Sequence, residues 1–151
     1  MAAPTPIRRQ LTVDIHRALQ SWCHVWAADD LAAKITVEFS SRMTRSLGRC
    51  YPERNLIRIA QFVLEDSDAL VQEVLCHEAA HLAAHHLHGS SIRPHGPEWK
   101  ALMLAAGYPP SVRFKLASIS RPPVKARRRR TLVAIIESLR KEILRALRPT
   151  G

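Results

Sequence analysis

Apolar residues recur at helical or alternating spacing over most of this chain, and polar breaks divide it into elements. Leu11, Ile15, Ala18, Leu19, Trp22, Val25 and Trp26 share one face of a helical wheel. That spacing predicts an amphipathic helix over residues 11–28, started by Thr12 or Asp14, with both tryptophans in the core and a polar break at Asp29-Asp30. Residues 35–40 alternate with β-branched enrichment and predict a strand. Residues 47–50 and 56–60 predict two more, with a turn at 51–55 between them, and together a small antiparallel sheet. Asp66, Ser67 or Asp68 can cap the next helix, expected over 67–88 and ended by Gly89. A polar loop leads to Pro97, well suited to the first position of a short helix over 97–106 because it needs no N–H partner there. Arg121-Pro122-Pro123 reads as a linker. Thr131 then caps a last helix, with Leu132, Ile135, Ile136, Leu139, Ile143 and Leu147 on one stripe.

The pattern is that of an α+β fold in four parts. These are an N-terminal extension (1–10), a core (11–112), a basic linker (113–130) and a basic amphipathic helix (131–151). With 46% apolar and 24% charged residues, most of the chain should be globular. No apolar run reaches the ~18–20 residues of a membrane span, and residues 1–10 carry no signal-type apolar core, so no transmembrane segment and a cytoplasmic location are expected. Cys23, Cys50 and Cys76 are odd in number and widely spaced, which argues against a disulfide framework or a cysteine-based zinc ribbon.

Charge divides the chain sharply. Residues 1–112 hold 11 Lys+Arg and 11 Asp+Glu; residues 113–151 hold 12 and 2, and so account for the whole net charge of +10. Lys125, Arg127, Arg128, Arg129 and Arg130 form the densest cluster, a candidate contact for DNA or RNA phosphates. No aromatic residue follows Phe114, so such binding would be blind to sequence. A solvated charged linker is the plainer reading. The final helix could pack on the core or on a second copy, lie on an anionic membrane surface, or assist nucleic-acid binding.

His77-Glu78-Ala79-Ala80-His81 carries the most specific chemistry. Residues four apart lie one helical turn apart on the same face, so two imidazoles can hold one zinc ion while the glutamate beside them serves as a general base. A catalytic zinc wants a third protein ligand and an open position. His85 lies eight residues beyond His77, about 12 Å along the axis, too far for both to share an ion with His81. His88 is farther and His86 points elsewhere. His95 remains: a loop can turn it back to the metal, and Trp99 can support it. His85, His86 and His88 are then exposed helix-end side chains, with partners that orient the ligands or accessory metal sites as their second reading.

At these residues the chain resembles the SprT-like zinc metalloproteases, the family that includes Spartan. The resemblance rests on Leu47-Gly48-Arg49-Cys50 with residues 55–60, on Leu75-Cys76-His77-Glu78-Ala79-Ala80-His81, on His95-Gly96-Pro97-Glu98-Trp99-Lys100, and on Ala106-Gly107-Tyr108-Pro109. It implies a zincin-like helix–sheet–helix core, zinc on His77, His81 and His95, Glu78 as catalytic acid/base, and protein or peptide substrates. Spartan-type members cleave proteins crosslinked to DNA. The cysteine-rich ribbon typical of the family has no counterpart here. Two other functions remain in view: a nucleic-acid-binding protein with a structural zinc, and a metalloprotease at a membrane surface. Tyr108 is a candidate oxyanion stabiliser, with core packing as its simpler role.

Overall fold

The computed structural model describes residues 6–114, with side chains from residue 14 onward. Nearly all of the basic linker, including Lys125, Arg127, Arg128, Arg129 and Arg130, and the whole final helix lie outside the described residues. The order is α1 (Pro6–Val25), α2 (Asp29–Ala32), β1 (Thr36–Ser40), β2 (Gly48–Tyr51), β3 (Leu56–Ala60), α3 (Asp68–His88) and α4 (Pro97–Ala105). Short 3₁₀ turns precede and follow β3, at Pro52–Arg54 and Gln61–Glu65.

The first helix differs from the sequence expectation. It begins at Pro6 and ends at Val25, because proline at the first helical position serves as the start that Thr12 or Asp14 was expected to provide. The Asp29-Asp30 break opens a separate short helix. Trp22 and Trp26 are buried as expected, and Trp26 Nε1 donates to the Leu102 carbonyl at 2.8 Å, which ties α1 to α4. For α3 the cap is Ser67, whose hydroxyl accepts from the Leu70 amide at 3.2 Å.

The sheet is mixed, which corrects the antiparallel expectation. Its order is β1-β3-β2: β2 pairs antiparallel with β3, and β1 pairs parallel with β3. The three strands themselves fall where the alternation put them. Strand order depends on which strand is buried on both sides. Leu56, Ile57, Ile59 and Ala60 are all buried, so β3 takes the centre and β1 and β2 become the edges. The β2–β3 connection is a hairpin in which Asn55, at φ 46°, takes the left-handed conformation that asparagine tolerates.

α3 is the axis of the fold. It contacts β2, β3, α1 and α4, and apolar residues on most of its circumference are buried. Leu75, Val74 and Val71 meet Ile57, Ile59, Leu31, Trp99 and Met103 in one continuous core. Cys23 and Cys76 are buried and Cys50 is half-buried, all as free thiols; burial pushes them up to about 11, 12 and 12 respectively. Among the described residues no helix is long and apolar enough to cross a membrane.

Candidate metal centre

Within this apolar core two polar side chains are buried among the described residues, and they are adjacent: His77, 5% exposed, and Glu78, 7% exposed. Buried polar groups without an evident structural role call for an explanation. α3 supplies both, together with His81 one turn later. The third group arrives from the segment ahead of α4. There the Gly96 amide donates to the Arg93 carbonyl at 2.9 Å, closing a four-residue turn with Pro94 second and His95 third. Proline excludes positive φ at the second position, and His95 has φ 58°, so the turn is type II. That type usually puts glycine or asparagine where His95 stands. Gly96 is fixed by space: a Cβ there would lie 2.9 Å from the Arg93 carbonyl oxygen.

The turn aims the ring of His95 at α3. Its Nε2 lies 3.1 Å from His77 Nε2 and 3.0 Å from His81 Nε2. Three nitrogens bound to one tetrahedral ion at 2.0–2.1 Å would stand about 3.3–3.4 Å apart, so the triad is close to ligand spacing already. One shared proton cannot satisfy three converging lone pairs, whereas a cation can. The donor set therefore fits a metal, and His77, His81 and His95 could hold one. Trp99 backs all three rings, with centroids 4.8 Å from His77, 5.3 Å from His81 and 4.7 Å from His95. Its Nε1 also donates to the His77 carbonyl at 3.2 Å, which fixes the start of α4 against α3.

Electrostatics keep the triad in its ligand form. Burial, with His95 adding to it, holds His77 down to about 4. Burial with His77 and His95 nearby holds His81 down to about 3, and burial also lowers His95. Neutral imidazole is the form that binds metal. The Ser111 backbone pulls the other way at His77, although Nδ1 has no partner at hydrogen-bonding distance.

Glu78 behaves oppositely. Burial pushes its carboxyl up to about 7, against the opposing pull of the Cys50 backbone and of Arg49. It packs on β2 at Gly48, where a Cβ would come within 2.7 Å of Glu78 Oε1 and 2.9 Å of Val74 Cγ1. The glycine thus gives the carboxylate its room. The triad and Glu78 open into a cleft of about 770 Å³, walled by β2, the loop before His95 and residues 112–114.

The other histidines lie apart from the triad. His85 lines the cleft, His86 meets Asp30 at 3.2 Å, and His88 is exposed. Tyr108 packs edge-on against Trp22 at 5.7 Å and is not among the cleft residues. Sequence reasoning missed Phe114, whose ring lies 5.1 Å from His77, and the arginines lining the cleft, because no local pattern marks a residue brought in by a distant loop.

Comparison with known proteins finds relatives of this chain by sequence. "Protein SprT" of Pseudomonas aeruginosa (strain PAO1) is 39% identical over 77 residues, covering 50% of this chain and 46% of the relative. That of Vibrio atlanticus is 42% identical over 60 residues, covering 39% and 36%. The chain thus matches less than half the length of these relatives. No solved structure matches it significantly. The profile of the SprT-like family matches residues 16–120, a stretch that contains every element from most of α1 through α4 and all four site residues, and the chain belongs to that family.

Proposed function

We propose that this protein is a zinc-dependent endopeptidase built on a zincin-like core. The observation that carries the reading is a buried His77-Glu78 pair, with His81 and His95 converging on the same point at the floor of an open cleft. Three imidazoles with an open position suit catalytic zinc, whereas a structural zinc is closed by four protein ligands. Zinc, when bound, would supply Lewis acidity to the carbonyl and to water.

The chain's own residues would do the rest. His77, His81 and His95, held neutral, offer the Nε2 lone pairs. Glu78, with its affinity for a proton near neutrality, takes one from the attacking water and returns it to the leaving amine nitrogen. Gly48 keeps that carboxylate in position, and Trp99 keeps the triad together. β2 is an edge strand beside the cleft, a template on which an extended polypeptide can add. Free thiols fit a reducing, cytoplasmic setting. The basic segment with Lys125, Arg127, Arg128, Arg129 and Arg130 would bring the protease to proteins bound or crosslinked to DNA, or to RNA.

The test is removal of metal with a chelator, restoration with zinc, and X-ray absorption on the restored protein. The proposal expects activity to follow zinc and the spectrum to fit three imidazoles and one oxygen. Four protein ligands and no cleavage would favour a structural zinc.

A further inference from the structure

The charge on the walls of the cleft is not accounted for by a metal centre. Arg49 on β2, Arg93 at the first position of the His95 turn and Arg113 beyond α4 line it from three separate segments, and all three are exposed. The single carboxylate among the described lining residues is Glu78, which is buried. Elsewhere Arg58 pairs with Glu38 at 2.9 Å and Lys34 with Asp30 at 2.9 Å, whereas Arg42, Arg45, Arg54 and Lys100, like the cleft arginines, form no ion pair with a described residue but are not gathered around one cavity. Arg49, Arg93 and Arg113 form no ion pair with a described residue. Residues 1–113, which include all three arginines, carry 12 Lys+Arg and 11 Asp+Glu, so this local excess reflects placement more than composition.

Guanidinium groups match carboxylates through paired donors in a plane. Around a site that opens polypeptide, unpaired arginines attract acidic side chains and repel lysine and arginine. The space between them favours a peptide over nucleic acid. Leu47, Ile92, Pro94 and Val112 make much of the wall apolar, and the site is concave. A duplex carries its phosphates on the outside of a cylinder, its major groove alone about 12 Å wide, and cannot enter such a cleft. A single strand would need aromatic platforms for its bases; here Trp99 is buried and Phe114 is half-buried against His77.

We propose that the cleft selects acidic polypeptide segments, with Arg49, Arg93 and Arg113 receiving Asp and Glu side chains that flank the bond to be cut. This rests on the endopeptidase reading, and the two can fail separately. Zinc-loaded full-length protein is given matched fluorogenic peptides that differ only in Asp, Ala or Lys around a common central pair. The expected kcat/KM for the Asp peptide is about tenfold above Ala and further above Lys at low salt, with the gap shrinking as salt rises. In Arg49→Gln/Arg93→Gln/Arg113→Gln the Asp-to-Ala ratio falls toward one. In Arg58→Gln, which lies outside the cleft, it holds.

A binding arm uses fluorescence anisotropy of the same peptides on Glu78→Gln protein, so that the selectivity is measured without turnover. Tighter Asp binding that depends on the three arginines, with no cleavage by wild type, would uphold the selectivity and remove the protease. Equal binding of Asp and Ala peptides would overturn the proposal. So would an arginine triple variant that loses affinity for a DNA oligonucleotide but keeps its Asp-to-Ala ratio.

Discussion

Gly48→Ala tests how the fold holds Glu78. The added methyl would lie 2.7 Å from Glu78 Oε1, 2.8 Å from its Cγ and 2.9 Å from Val74 Cγ1. Ordinary contact begins near 3.4 Å, so the three neighbours are about 0.7, 0.6 and 0.5 Å too close. The carboxylate oxygen alone could swing away, but Cγ and Val74 belong to α3, which is packed on both sides. β2 cannot retreat either, since Gly48 is paired in register with Ile59. Overpacking of this kind destabilises by about 1–3 kcal/mol. A displacement approaching 1 Å at a reacting group costs on the order of 10²-fold in rate. The expected result is therefore a kcat on a peptide substrate lowered by about two decades, a lowered urea midpoint, and unchanged zinc stoichiometry because no histidine is touched. Steady-state kinetics, urea denaturation and elemental analysis on one preparation read all three. Wild-type kcat in a folded Gly48→Ala protein would refute the claim that this contact positions the base.

Further expectations follow from the turn, the tryptophan and the buried titratable groups. Gly96→Ala would put a Cβ 2.9 Å from a backbone oxygen that cannot rotate away, opening the His95 turn; zinc affinity in a chelator competition should fall at least about tenfold. Trp99→Phe removes the indole N–H bonded to the His77 carbonyl, which keeps its helical partner within α3, and should lower stability by about 0.5–1.5 kcal/mol in urea titration. In chelator-treated protein, His77 and His81 titrate at about 4 and about 3 against an ordinary 6.5, so the unfolded chain takes up more protons and stability falls as pH drops below 6.5. Glu78, at about 7 against 4.5, opposes this between pH 4.5 and 7, where the folded state holds the extra proton. The two histidines, with His95 lowered in the same direction, outweigh one carboxyl at every pH from 4.5 to 6.5, so the urea midpoint should peak near pH 7 and decline on the acid side. The decline should be shallower in His81→Phe.

Much of this site could be read from the order of residues, and the reasons are local. The spacing of His77 and His81 requires only a helix, and Leu70, Val71, Val74 and Leu75 at helical spacing behind a serine cap supply one. His95 was reachable by elimination, because helix rise rules out His85 and His88. The type II turn that delivers it could be suspected from Pro94 and Gly96, but not from a histidine in the third position. Sheet order was beyond local pattern: alternation marks a strand and its faces, whereas the parallel β1–β3 pairing depends on which strand the helices bury. The same limit hid Phe114, Arg93 and Arg113, which reach the cleft only because α4 and its flanking loops fold back over α3. Gly48 is an intermediate case, visible as a glycine in a strand but explained only by the glutamate lying against it.

The central claim is that a metal on His77, His81 and His95 works with Glu78 to cut peptide bonds. Glu78→Gln tests it most directly, since the amide keeps the shape of the side chain and cannot take a proton. The account predicts one zinc per chain in both wild type and variant, with peptide cleavage present in the first and lost by several decades in the second. Cleavage by the variant at the wild-type rate, or a wild-type protein that folds and binds no zinc, would contradict it.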